Sequence, residues 1–304
     1  MPNRQTDVIA SVRQQLTGLI QLTRFKEYVV FVTVITLVGA KLGGGDIDLR
    51  LLIVLIANLL VVGFAFMYND VEDAPDDAMD AKKALRNPIS AGMISPRVGK
   101  LACLGVALAV VAAYATLGLM PFLLGAFSLA LAFLYSWRFA RLKAMPIADL
   151  ISHSLSLAGL QFLCAYFVYD QGKPYAWLFF LSTVALSVYG ELNNELRDAE
   201  VDKKAGIRHT ADLIGPVWTR RLMILCAVSG VAIFVAFLAL GLIPLVLLFG
   251  FALVMPILLG PKLIQFWRGK ANFMEDREAI HNPLMLSMLA AVLFWYVGDK
   301  LPLF

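Results

Sequence analysis

The stretch LLIVLIANLLVVGFAFMYNDVEDAPDD, residues 51–77, changes character abruptly. No charged residue occurs between positions 51 and 69, a run long enough to cross a hydrocarbon core of about 30 Å as a helix. Asp70, Glu72, Asp73, Asp76 and Asp77 then follow in quick succession, with Asp80 just beyond. The first part reads as a transmembrane helix, and the acids mark where it meets water.

The same apolar pattern recurs along the chain. Nine runs stand out: 27–43, 50–68, 98–118, 121–137, 146–168, 174–192, 219–240, 242–266 and 282–299. The chain has 304 residues, is 60% hydrophobic and carries only 16% charged residues, against about 25% in soluble proteins. A soluble protein has no use for nine such helices. The sequence predicts an all-α integral protein of a bacterial- or archaeal-type cell membrane, forming one domain over residues 1–304. No Gly/Ser linker or low-complexity segment divides it. The first twenty residues show no signal-peptide pattern; they read as an amphipathic helix on the membrane surface or as a polar tail.

Basic residues set orientation. Of the 26 Lys and Arg, 22 fall in the amino-terminal segment and the loops after the second, fourth, sixth and eighth runs. Those segments and the amino terminus are expected in the cytoplasm, and Phe304 on the opposite side. The net charge of +4 therefore reports topology and does not point to nucleic acid. Cys103, Cys164 and Cys226 fall inside apolar runs without paired spacing and read as small buried hydrophobes.

The acids of the opening stretch have a counterpart in NNELRDAEVDKKAG, residues 193–206. Of the 22 acids, six lie between positions 69 and 80 and five between 191 and 202. Asn69, Asp73 and Asp77 are spaced by four, as are Asn194, Asp198 and Asp202. On a helix, four-residue steps keep such residues on one face. Pro75 disfavours helical geometry in the residue before it, so the first helix is expected to kink or end near Ala74. A solvated acidic loop, topology control and a divalent-metal site are the three readings. Solvation does not require a repeated spacing, acids contribute little to topology, and oxygen-only ligands suit Mg²⁺ shared with substrate phosphates.

At these residues the sequence resembles the UbiA-type intramembrane prenyltransferases. Their NDxxDxxxD motif is matched by Asn69, Asp70, Asp73 and Asp77, and their DxxxD motif by Asp198 and Asp202, preceded by Asn194. The NNELRD form is similar to members acting on naphthoate-type quinone precursors, whereas YSWRFARLK, residues 135–143, is closer to lipid- and carotenoid-modifying relatives. One departure is RNPISAG, residues 86–92: Asn87 stands where the family often has Arg, with Arg86 one position early. The resemblance implies two pseudo-repeated four-helix halves plus one helix, around a lipid-facing cavity with cytoplasmic cap helices. It also implies transfer of a prenyl group from a prenyl diphosphate to a lipophilic acceptor within the membrane, with Mg²⁺, or Mn²⁺, as cofactor.

On that reading the metal ligands are Asn69, Asp73, Asp77, Asn194, Asp198 and Asp202. Asp73 and Asp198 are central to catalysis, and Asp70 orients ligands from behind. Lys82, Arg86, Tyr135, Arg141, Lys143 and Arg197 are candidate substrate-binding residues, the cations among them also serving as cytoplasmic anchors. Phe64, Phe66, Tyr68, Tyr135 and Tyr189 are placed to stabilise an allylic cation or to sit in an interfacial belt. His153 is the single histidine inside an apolar run, either functional or bonded to a neighbouring helix. His209 and His281 fall in loops. Two other functions remain open: a terpene cyclase acting on the same diphosphate, and a divalent-cation transporter, which would bind at the bilayer midplane rather than at span ends.

Overall fold

The computed structural model describes residues 4–204, 208–268 and 278–300, and every regular element among them is helical. Among the described residues, seven helical segments are long and apolar enough to cross a membrane: Leu49–Asp77, Pro96–Ala115, Leu119–Ser136, Ala148–Phe167, Thr210–Ala239, Val246–Trp267 and His281–Gly298. The chain is an integral membrane protein. In chain order the helices are α1 (Arg4–Leu22), α2 (Val29–Leu42), α3 (Leu49–Asp77), α4 (Ala81–Arg86), α5 (Pro96–Ala115), α6 (Leu119–Ser136), α7 (Ala148–Ser154), α8 (Leu160–Phe167), α9 (Ala176–Lys204), α10 (Thr210–Ala239), α11 (Val246–Trp267) and α12 (Glu278–Gly298).

Two of the nine apolar runs do not make long apolar helices, and local chemistry explains both. The run 27–43 is shortened at its start by a 3₁₀ turn, Phe25–Glu27, entered through Arg24 in the left-handed region. At its end Gly43 and Gly44 stop it, the latter at φ 90°. The resulting α2 has 14 residues, about 21 Å of helix. The run 174–192 continues without a break into the second acidic window, so the apolar first half of α9 shares a helix with a polar second half.

The helix expected to kink or stop near Ala74 runs on through Pro75 and stops at Asp77. Pro removes one backbone donor near the helix end, and side chains from the following loop reinforce this last turn. Asn87 donates from Nδ2 to the Asp70 carbonyl at 2.8 Å, and Ser90 from Oγ to the Ala74 carbonyl at 2.8 Å. The acidic windows are therefore helical extensions of the spans rather than loops. Both α3 and α9 have 29 residues, each with an apolar amino-terminal part and an acidic carboxyl-terminal part.

Helices α2, α3, α5, α6 and α8 pack in succession, α9 joins through α7 and α10, and α12 returns to α2. Tyr296 of α12 donates to the Leu37 carbonyl at 2.9 Å, and Lys41 pairs with Asp299 at 2.7 Å. Helices α7 and α8 form one span through a π-helical segment, Leu155–Gly159. In α10 Gly215, at φ 76°, followed by Pro216, breaks off a short first turn from the span proper. Cys103, Cys164 and Cys226 are buried thiols. The amino-terminal segment is helical, with Val12, Leu16 and Ile20 exposed and Leu22 buried.

Gly39 sits where α2 meets α8: a Cβ there would lie 2.5 Å from the Phe162 carbonyl oxygen. Gly39→Ala is expected to force the helices apart and cost about 1–3 kcal/mol, read as a lowered melting midpoint in detergent. Gly105→Ala in α5, with nothing within 4 Å, is the control and should melt at or above wild type. Equal midpoints for the two variants would contradict this packing.

Candidate active site

The last turns of α3 place the first acidic motif against the loop that follows α6. Lys143 lies in a 3₁₀ turn, Leu142–Ala144, and its side chain is only 11% exposed. Its ammonium donates to Asn69 Oδ1 at 2.9 Å and to Asp73 Oδ1 at 2.6 Å, and also contacts Asp73 Oδ2. Burial lowers the Lys143 pKa, and Asp73 pulls it partly back up. Ser136 donates a further bond to Asn69 at 3.0 Å. Arg141 reaches Asp76 at 3.2 Å and Asp73 at 3.8 Å. The four-residue spacing thus delivers what it promised for Asn69 and Asp73: two oxygen-bearing side chains on one face, converging on one cation.

Asp70 faces elsewhere. It is fully buried and held by Arg24, whose Nε lies 3.2 Å from Oδ2 and whose Nη2 contacts Oδ1. Asp77 accepts from Asn87 Nδ2 at 2.9 Å, and Asn87 is itself fully buried, its Oδ1 accepting from the Ile89 amide. The residue that departs from the family pattern therefore ties Asp77 to the α3 backbone. Arg86 turns away and pairs with Glu27 at 2.8 Å on the surface. Lys82 and Arg197 are exposed. Arg24 and Arg141 share one feature, a backbone in the left-handed region at φ 47° and 41°, a costly conformation for such residues. Each grips an acid of the same motif.

On α9, Asn194 donates to Glu191 Oε2 at 3.3 Å, and His153 Nε2 lies 3.4 Å from the same oxygen. His153 thus faces Glu191 of a neighbouring helix, beside the Tyr135 ring at 6.3 Å between centroids. Tyr135 lies at the end of α6, next to Ser136, which bonds Asn69. The side chains of Asp198 and Asp202, the other expected ligands of the second motif, lie outside the described residues. Tyr68 stacks on Phe64 and Phe133 at 5.6 and 4.9 Å, Phe66 stacks on Tyr28 at 5.3 Å, and Tyr189 is exposed. A cleft of about 920 Å³ on another face of α3 is lined by Tyr68, Glu72, Lys100, Trp137 and Arg138, among others.

Several residues escape a reading by spacing. Arg24 lies 46 positions from its partner Asp70. Asp149 and Glu195, both buried, receive the amino terminus of α10: Thr210 donates its amide and hydroxyl to Asp149, and the Ala211 amide donates to Glu195 at 2.7 Å. Burial pushes the Glu195 carboxyl up to about 7. An acid inside an apolar run, as at Asp149, is the one signal that points to this cluster in advance.

The profile of the UbiA prenyltransferase family matches residues 29–274. The chain belongs to the UbiA prenyltransferase family. Digeranylgeranylglyceryl phosphate synthase of Methanopyrus kandleri is 29% identical over 171 residues, 56% of this chain and 60% of that protein. The chain thus matches about 60% of the length of that curated relative. A UbiA homologue from Archaeoglobus fulgidus, solved bound to GPP and Mg²⁺, superposes with a TM-score of 0.68 at 18% identity, covering 93% of this chain and all of that one. The apo structure of a UbiA homologue from Aeropyrum pernix K1 has the same TM-score and identity, over 90% of this chain and 98% of its own.

The Arg24–Asp70 pair yields a stability test. Removing one partner of a buried ion pair costs about 3–5 kcal/mol, because the other charge is stranded. Arg24→Ala should therefore lower the melting midpoint strongly, and adding Asp70→Asn should restore part of the loss. A double variant less stable than Arg24→Ala would show that the two charges do not depend on each other.

Proposed function

We propose that the chain is a Mg²⁺-dependent prenyltransferase. It moves a prenyl group from a prenyl diphosphate to a lipophilic acceptor, at a site formed jointly by Asn69, Asp73 and Asp77 on α3 and Asn194, Asp198 and Asp202 on α9. The observation that carries this reading is the convergence of Asn69 and both Asp73 oxygens on the Lys143 ammonium. These donors are hard oxygens arranged around positive charge, the chemistry Mg²⁺ requires. When bound, Mg²⁺, or Mn²⁺, supplies Lewis-acid neutralisation of the leaving diphosphate. Lys143 and Arg141 add fixed positive charge beside Asp73 and orient phosphate oxygens. Asp70 and Asn87 hold the motif backbone and Asp77 in place from behind. Tyr135, beside His153, offers an aromatic face to an allylic cation.

The name of the Methanopyrus relative favours a glycerol-lipid acceptor, to be tested beside dihydroxynaphthoate, hydroxybenzoate and carotenoid acceptors. We read residues 1–304 as a single domain of nine spans, with α2 and the first half of α9 joining the seven long apolar segments, in two four-helix halves plus one, and α1 and α4 as cytoplasmic caps. The motifs and the amino terminus then face the cytoplasm. A cysteine placed at position 85 in a cysteine-free background should be labelled by an impermeant reagent only after the cells are opened; labelling from outside sealed cells would reverse the topology.

The decisive assay incubates purified protein with prenyl diphosphates, Mg²⁺ and the acceptor panel, read by mass spectrometry. Acceptor-independent hydrocarbon products would identify a cyclase instead. Chelation should abolish turnover, and Asp73→Ala and Asp198→Ala should each lower it by orders of magnitude. Residues acting as a unit are strongly non-additive, so the double variant should be scarcely worse than the more damaging single one. Simple addition of the two penalties on kcat/KM would separate the motifs into independent sites.

A further inference from the structure

Behind the second motif lies a cluster that the proposed reaction does not use. Asp149 of α7, Glu195 of α9 and His209, which precedes α10, each offer a donor atom within 4.8 Å of the other two. Asp149 and Glu195 are 0% and 4% exposed. Two buried carboxylates this close require compensating positive charge, and among the described residues no Lys or Arg pairs with either one. The amide groups at the start of α10 meet part of the demand. The acceptor accounting shows what is left. Asp149 Oδ1 takes the Thr210 hydroxyl and the Leu150 amide, both at 2.6 Å, which fills its lone pairs. Asp149 Oδ2 takes the Thr210 amide at 3.1 Å and keeps one lone pair. Glu195 Oε2 takes the Ala211 amide, whereas Glu195 Oε1 is buried with no hydrogen-bond partner. His209 Nδ1 stands 3.4 Å from Asp149 Oδ2.

We propose that Asp149, Glu195 and His209 form a binding site for one transition-metal divalent cation, Zn²⁺ or Mn²⁺, that ties α7, α9 and the start of α10 together. Two carboxylate oxygens and one imidazole nitrogen form a mixed set that suits these ions better than Mg²⁺. Ligand distances of about 2.0–2.2 Å require the three side chains to close by roughly an ångström, within the reach of rotation at their terminal torsions. The site is structural, because the three ligands come from three different elements and none belongs to the first motif. Its consequence for the reaction is positional: Glu195 adjoins Asn194, so the ion sets the rotation of α9 and the aim of the second motif.

The test uses the full chain in detergent, stripped with chelator, loaded with Zn²⁺ or Mn²⁺ in millimolar Mg²⁺ without any diphosphate, desalted and analysed for metal. Wild type and Asp73→Ala should each retain one equivalent and melt higher when loaded. His209→Gln and Glu195→Gln should lose affinity by more than the ~10–100-fold that even outer-shell changes cost, and their melting should no longer respond to metal. X-ray absorption at the Zn edge of the wild type, which needs no variant, should show an imidazole nitrogen in a mixed nitrogen–oxygen shell. No retained metal in wild type, retention unaffected by both substitutions, or an oxygen-only shell would each overturn the site. Loss of the ion in Asp73→Ala would place it at the first motif and overturn it equally. None of these readouts involves turnover, so the result is separate from the fate of the prenyltransferase reading.

Discussion

Negative charge taken out of water governs this structure. An isolated carboxylate in a low-dielectric interior is prohibitively costly, yet Asp70, Asp149 and Glu195 are buried and Asp73 nearly so. Arg24 answers Asp70 and Lys143 answers Asp73, while the amino terminus of α10 meets part of the demand of Asp149 and Glu195. These answers come from segments distant in sequence, so the acids act as attachment points. They draw the amino-terminal segment onto α3, the loop after α6 onto the first motif, and α10 onto α7 and α9.

The membrane imposes the second condition. Backbone groups within it must be satisfied internally, which is why helix interruptions come with side-chain partners. At the π-helical segment, Gln161 donates to the Ser156 carbonyl at 2.6 Å. Asn58 bridges Thr36 and the Gln161 carbonyl while accepting from Tyr114. This buried network joins α2, α3, α5 and α8 in a region where apolar packing alone does not fix rotation. Helix rotation matters here, since it decides which oxygens α3 and α9 present inward.

The same logic separates the two faces of α3. Asn69 and Asp73 converge on a cation at the inner site, while Glu72 pairs with Arg138 at 3.1 Å beside the outer cleft. One helix thus carries the proposed site on one side and the Glu72–Arg138 pair of the cleft on the other. A break or kink at Pro75 would decouple them. The helical extension keeps the acids in register with the span that carries them.

Membrane class, all-helical architecture and the shared face of Asn69 and Asp73 follow from residue types and spacing alone. These depend on local periodicity and on the cost of exposing apolar surface to water or polar surface to lipid, both of which are written along the chain. The number of long apolar helices was less legible, because glycines and a left-handed turn trim α2 and because α9 carries polar residues within the same helix. The path through Pro75 is not legible from the residue before it, since Pro75 stands only two residues from the helix end and removes a single backbone donor there. Only the tertiary structure pairs Arg24 with Asp70, assigns Asn87 to Asp77, turns Arg86 toward Glu27 and brings His209 to Asp149 and Glu195. No spacing encodes those choices. They are settled by which charges the folded bundle buries and which cations lie within reach to neutralise them.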